Sequence, residues 1–182
     1  MRVFLIRHPP PLIEPGVCYG RLDVDCHAPE PFAALLRARL PAGIAIHSSP
    51  LRRALRLARA LSPTARVDAR LSEIDFGAWE GRRWDEIGER EIGAWAADVL
   101  NFAPPGGESV AALRARALDF AASLEDDAAL VTHAGVMRVL AGHWRHLPTA
   151  DWLRLEFGFG EMVRFDLAPP PPKAPAEETS IR

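Results

Sequence analysis

The sequence reads as an α/β protein of three layers, a mostly parallel sheet with helices on both faces. Three observations lead there. Val3-Phe4-Leu5-Ile6 and Leu130-Val131-Thr132 are short, continuous apolar runs of the kind that form strands buried on both faces. Segments with helical spacing of apolar residues separate such runs. The chain has 182 residues, 48% hydrophobic and 25% charged, enough to bury one core without disulfides or metals.

Val3–Ile6, ending at Arg7-His8, is the first strand. Pro9, Pro10 and Pro11 cannot continue it, so Pro9 to Pro31 reads as a loop rich in Pro and Gly. Phe32–Leu40 has helical spacing and stops at Pro41-Ala42-Gly43, and Ile44–His47 is a second strand. Ser49-Pro50 is a helix-start signal, a serine to cap free amides and a proline set for the first turn, and the helix runs to Leu61. Val67–Leu71 reads as a third short strand, Glu73–Arg83 as irregular, and Trp84–Leu100 as a helix or helix pair. After the break at Pro104-Pro105-Gly106-Gly107, Ser109–Leu124 carries Val110, Leu113, Ala117, Phe120 and Leu124 near one helical face. Leu130–Thr132 is a strand ending at His133, and Ala134-Gly135 opens a helix through Leu140. Leu153–Phe157 and Met162–Leu167 alternate as strands joined at Gly158-Phe159-Gly160, a turn rather than a nucleotide loop because no helix follows it. The domain so read spans 1–167. From Ala168 the run Pro169–Pro172, Pro175 and two glutamates reads as a disordered tail over 168–182.

A formal charge of −2 creates no net field for nucleic acid or anionic lipid, so an anionic ligand must be held by a local cluster. No apolar run approaches the roughly 18 residues of a spanning helix, and Val3–Ile6 is too short for a secretory signal; the expectation is a cytoplasmic protein. Cys18 and Cys26 match no common metal or redox spacing and read as two reduced thiols. No His or Cys pair has ligand spacing, so neither a metal nor another cofactor is expected. Oligomeric state has no sequence signature here.

Ligands of open α/β sheets bind beyond the carboxyl ends of the strands, where this chain carries Arg7-His8, His47-Ser48-Ser49 and Thr132-His133. An Arg-His pair, a second Arg in the first turns of a capped helix and a second His at a strand-to-helix junction suit phosphoryl transfer, which is mostly positioning and charge neutralisation. Five ordered segments then carry a resemblance: Leu5-Ile6-Arg7-His8; Ser48-Ser49-Pro50-Leu51-Arg52-Arg53-Ala54; Leu71 to Gly81; Pro105-Gly106-Gly107-Glu108-Ser109; and Val131 to Arg138. In these the chain resembles the histidine phosphatase superfamily, the phosphoglycerate-mutase-like proteins. Gly16-Val17-Cys18-Tyr19-Gly20-Arg21-Leu22-Asp23-Val24 is similar to the corresponding loop of its alpha-ribazole phosphatases.

The resemblance implies a metal-independent phosphomonoesterase of a small phosphorylated molecule, with alpha-ribazole 5′-phosphate of cobalamin synthesis as first choice. It makes His8 the nucleophile that becomes phosphohistidine, Arg7 and Arg53 the grip on the phosphoryl oxygens, His133 the completion of that pocket and Glu73 the proton donor. Tyr19 and Arg21 are the candidates for substrate contact. The chain departs from the family at Pro9-Pro10-Pro11, where most members have Gly-Glu-Thr, and at Arg56-Leu57, where they have Gln-Thr.

Blander readings stand beside these. Arg52, Arg56 and Arg59 share a helix with Arg53 and read as a solvated face; Glu80 and Asp75 compete with Glu73 as the acid. Trp79, Trp84 and Trp95 read as core or rim, and His27, His47, His143 and His146 as structural or surface. Other small phosphate esters, phosphohistidine on a protein, a mutase, and a non-catalytic phosphate-binding module are the alternatives in function.

Overall fold

In the computed structural model residues 1–168 are described, so the Pro-rich tail lies outside them except for Ala168. Along the chain the elements are β1 (Arg2–Arg7), α1 (Glu30–Arg37), β2 (Ala45–Ser48), α2 (Arg52–Leu61), β3 (Arg66–Val67), α3 (Glu89–Ala97), α4 (Val110–Ala122), β4 (Ala128–Thr132), α5 (Ala134–Trp144), α6 (Thr149–Trp152) and β5 (Met162–Asp166). The strands form one sheet in the order β3-β2-β4-β1-β5, parallel except for β5, which runs antiparallel to β1.

Strand alternation sorts the central residues into two cores. Val3, Leu5, Ala128 and Leu130 pack with Leu113 and Phe120 of α4 and with Val136 and Leu140 of α5. Phe4, Ile6, Ala129 and Val131 pack on the other face with Ala33 and Leu36 of α1 and with Ala54, Leu57 and Ala58 of α2. Helices therefore cover both faces, and the central strands are apolar on both sides, as their continuous runs require. Among the described residues no helix is long and apolar enough to cross a membrane.

Four local expectations need correction. Leu153–Phe157 is not a strand: Leu155 and Phe157 face the core, but their carbonyls accept from Arg138 Nε (2.8 Å) and Arg7 Nη1 (2.6 Å) rather than from a neighbouring strand. The helix after Ser49 begins at Arg52 with Leu51 at its N-cap, so Ser49 is not its cap residue. The strand expected over Val67–Leu71 ends at Val67, because Asp68 accepts from the Arg70 amide and starts a 3₁₀ turn at Ala69–Leu71. Trp84–Leu100 is divided at Gly88, whose φ of +100° no helix admits, and only Glu89–Ala97 is α-helical.

Candidate active site

The parallel ladder brings the three polar strand ends into one row. Arg7 lies opposite Thr132 and Ser48 opposite Val131, and the ladder extends through His8 N–H to the Thr132 carbonyl and Ser49 N–H to the Val131 carbonyl, both 3.0 Å. The rings of His8 and His133 consequently lie 5.1 Å apart, centroid to centroid, and both are buried.

His8 is held in one tautomer. Its Nδ1 lies 2.6 Å from the Pro9 carbonyl, which can only accept, so Nδ1 carries the proton and Nε2 keeps its lone pair. Burial, with a smaller contribution from the Arg53 and Arg7 charges, lowers the His8 pKa to about 3. The departure at Pro9 therefore leaves in place the backbone group that orients the imidazole. His133 is likewise kept well below the usual histidine range by burial first and then by Arg53 and His8. Its Nε2 lies 2.7 Å from Ser49 Oγ.

Two guanidinium groups flank the imidazoles. Arg53 is fully buried on the first turn of α2, where Nη1 donates to the Leu22 carbonyl (2.9 Å) and Nη2 to that of Gly20 (2.5 Å). Arg7 Cζ sits 3.8 Å from the ring centroid of Phe159, which also lies 5.5 Å from the His8 ring. Burial lowers the pKa of both arginines, yet guanidinium remains cationic. Arg7 Nε, Arg53 Nε and His133 Nδ1 are buried without a hydrogen-bond partner among the described residues. Unpaired buried nitrogens around a neutral imidazole are what an oxyanion would complete.

Glu73 is set beside this group by backbone contacts from three directions. Its oxygens accept from the amides of Ile74 and Gly135, both at 3.0 Å, and its carbonyl accepts from Arg116 Nη2 at 2.9 Å. Arg116 also donates to the carbonyls of Arg70 and Ser72, while Thr132 Oγ1 donates to that of Leu71. Glu80 and Asp75 are occupied elsewhere. Glu80 accepts the amides of Gly20, Arg21, Leu22 and Phe76, and Asp75 that of Gly77.

Tyr19 belongs to the same neighbourhood, its ring 5.2 Å from Arg53 Cζ, and burial raises its pKa. Arg21 pairs with Asp75 (3.7 Å) and Glu108 (3.5 Å). Arg52 and Arg56 pair with Asp23 and Asp25 near the surface, Arg59 donates to the Pro63 carbonyl, and only Arg53 of the four is buried. Trp79 is buried against Trp84, Trp95 and Phe102. Cys18 and Cys26 are free and buried. No group of three or more His, Cys, Asp or Glu among the described residues could hold a metal ion. Pro9, Arg116, Gly135 and Phe159 escaped sequence reasoning as parts of the site; they act through one backbone atom, a guanidinium bonded to distant carbonyls or one packed ring, which no residue pattern announces.

A cleft of about 480 Å³ lies in the same structure, lined by none of Arg7, His8, Arg53, Glu73 and His133. Ile74 and Gly135, whose amides hold Glu73, both line it, together with Phe76, Trp84, Trp95 and Trp152.

The likeness to known proteins extends over most of the chain. Residues 3–172 match the Histidine phosphatase superfamily (branch 1). A glucosyl-3-phosphoglycerate phosphatase of Mycobacterium tuberculosis is 34% identical over 140 residues, covering 66% of this chain and 61% of that protein. A bifunctional protein of the same organism is 34% identical over 130 residues, covering 68% of this chain and 34% of that protein. The chain thus spans between about a third and three fifths of these curated relatives. Among solved structures, a mycobacterial glucosyl-3-phosphoglycerate phosphatase superposes with a TM-score of 0.78 at 28% identity, over 90% of this chain and 88% of that one. A phosphoglycerate mutase from Thermus thermophilus superposes with a TM-score of 0.76 at 32% identity, over 91% and 93%.

Proposed function

The chain belongs to the histidine phosphatase superfamily (branch 1), and on that premise we propose that it is a metal-independent phosphomonoesterase working through a phosphohistidine on His8. The observation that carries this reading is the lone pair of His8 Nε2, fixed by the Nδ1 bond to the Pro9 carbonyl and surrounded by the unpaired nitrogens of Arg7, Arg53 and His133.

The chemistry follows from those atoms. Arg7, Arg53 and His133 hold the phosphoryl oxygens and spread their charge. His133 Nε2 and Ser49 Oγ share a hydrogen bond of 2.7 Å, and with the serine hydroxyl as its donor the His133 Nδ1 hydrogen is free for the phosphoryl group. Nε2 of His8 attacks phosphorus; as the N–P bond forms the P–O ester bond breaks, and Glu73 gives its proton to the departing alkoxide. Water then attacks the phosphohistidine, the N–P bond breaks and the Glu73 carboxylate takes up the proton, which restores the enzyme. A non-catalytic phosphate-binding module would have no use for Glu73.

The similarity of the Gly16–Val24 loop to that of the alpha-ribazole phosphatases supports a leaving group with a fused aromatic base, as in alpha-ribazole 5′-phosphate. The mycobacterial relatives support glucosyl-3-phosphoglycerate as a second substrate reading. Initial rates of phosphate release from these two esters, with 3-phosphoglycerate isomerisation followed in parallel, test the choice. A higher kcat/KM for alpha-ribazole 5′-phosphate is the expected outcome. Isomerisation without phosphate release would make the protein a mutase, and tight phosphate binding without turnover of any ester would make it a binding module.

A further inference from the structure

We propose that Glu80 is a positioning residue for Arg53, acting through the peptide units of Gly20, Arg21 and Leu22; the proposal rests on the reading of Arg53 as the grip on the phosphoryl group. Glu80 Oε2 accepts the amides of Gly20 (2.8 Å) and Leu22 (2.9 Å), and Oε1 accepts those of Arg21 (2.8 Å) and Phe76 (2.9 Å). From the same stretch of backbone, the Gly20 and Leu22 carbonyls accept from Arg53 at 2.5 and 2.9 Å. The loop is therefore gripped by a carboxylate through its N–H groups and by a guanidinium through its C=O groups. The Arg21 N–H and the Gly20 carbonyl belong to one peptide unit, so the negative charge at that N–H makes the Gly20 carbonyl a stronger acceptor for Arg53, whereas the Leu22 carbonyl is held only through the position of the loop.

This arrangement determines where Arg53 points. Two of its five N–H groups are committed to the loop carbonyls, and the buried Nε–H is among those left over. The loop cannot drift, because it packs at backbone distance: a Cβ at Gly20 would lie 1.9 Å from the Ile74 carbonyl oxygen and 2.9 Å from Glu80 Oε1. Ile74 is the neighbour of Glu73. Glu80 thereby holds Arg53 and the segment of the acid in one frame, without touching either side chain by a hydrogen bond that the described residues show.

A double-mutant cycle on the full chain tests this. Glu80→Gln keeps the shape, removes the charge and turns an NH₂ against amides that now have an acceptor. Arg53→Lys removes the fork and keeps a cation, so affinity for an oxyanion stays measurable. Inhibition constants of orthovanadate against p-nitrophenyl phosphate hydrolysis are measured in the parent, both single variants and the double variant. Glu80→Gln is expected to weaken orthovanadate at least tenfold in the parent and less than twofold beside Arg53→Lys. An equal factor in both backgrounds, or no loss in either, overturns the proposal, since general damage does not depend on residue 53. Should Glu80→Gln fail to fold, the same cycle run with Glu80→Asp, which keeps the charge on a shorter stem, is read by the same criterion. A parent that hydrolyses no ester overturns the phosphatase reading itself; an active parent with additive variants overturns only the role of Glu80.

Discussion

The amide of Gly135 donates to Glu73 Oε2 at 3.0 Å, and a Cβ at Gly135 would lie 2.2 Å from Glu73 Oε1. The second residue of α5 and the assigned proton donor thus approach as closely as the absence of a side chain permits. Gly135→Ala should displace the carboxylate and cut hydrolysis of an alkyl phosphate at least tenfold, within the range general acids contribute. Ala is otherwise the better helix residue by about 1 kcal/mol, so the melting temperature should hold. Full alkyl phosphatase activity in a stable Gly135→Ala protein would show that the acid is not needed where it stands.

Glu73→Gln separates leaving groups. An alkoxide needs a proton as it departs, whereas p-nitrophenolate leaves unaided, so under single-turnover conditions the variant should slow phosphoenzyme formation strongly with a ribose 5′-phosphate and far less with p-nitrophenyl phosphate. Equal slowing of both bursts would assign Glu73 to positioning.

Arg53→Ala should reduce kcat/KM much more than Arg52→Ala, Arg56→Ala or Arg59→Ala. Those three side chains are exposed and bonded away from the histidines, while Arg53 is buried with an unpaired Nε. Steady-state kinetics of the four variants decide the matter, and losses of similar size would point to a diffuse basic surface.

His8→Asn keeps a side-chain N–H for the Pro9 carbonyl and removes the nucleophile. Turnover should disappear, together with the acid-labile, base-stable phosphate that the parent acquires from substrate. Because His8 is 2% exposed, His8→Ala is expected to cost stability that His8→Asn largely spares. Undiminished turnover in His8→Asn would end the proposed mechanism.

The buried imidazoles also make stability depend on pH. His8 is lowered to about 3 and His133 well below its usual value, both chiefly by burial, while in the unfolded chain each titrates near 6.5. Below that pH the unfolded state binds protons that the native state refuses, so stability rises with pH there and is lost as the pH falls from about 6.5, by about 1.4 kcal/mol per pH unit for each histidine. Urea unfolding between pH 6.5 and 4.5 should show a slope lower by about one proton in His8→Asn than in the parent. Identical slopes would mean that His8 is protonated in the native protein.

Much of this site was legible before any coordinate. A strand buried on both faces writes a continuous apolar run, so Arg7-His8 and Thr132-His133 stood out as the first polar residues at its ends, and the rule for open sheets put the ligand there. Glu73 was legible only through resemblance, since the stretch around it has no periodicity to read. Local pattern states which face of an element avoids water; it does not state which atoms that face will meet. Two of three look-alike carboxylates are told apart by donors distant in sequence, Gly20 reaching Glu80 across 60 residues and Gly135 reaching Glu73 across 62, while Asp75 takes the amide of nearby Gly77. Of four arginines on one helix the resemblance singled out Arg53, and folding buries that one alone, beneath the Gly20–Leu22 loop. Leu153–Phe157 alternates like a strand, yet arginine side chains took two of its carbonyls. A hydrogen bond is satisfied by whichever partner the completed packing brings within 3 Å, and that choice belongs to the whole chain rather than to any window of it.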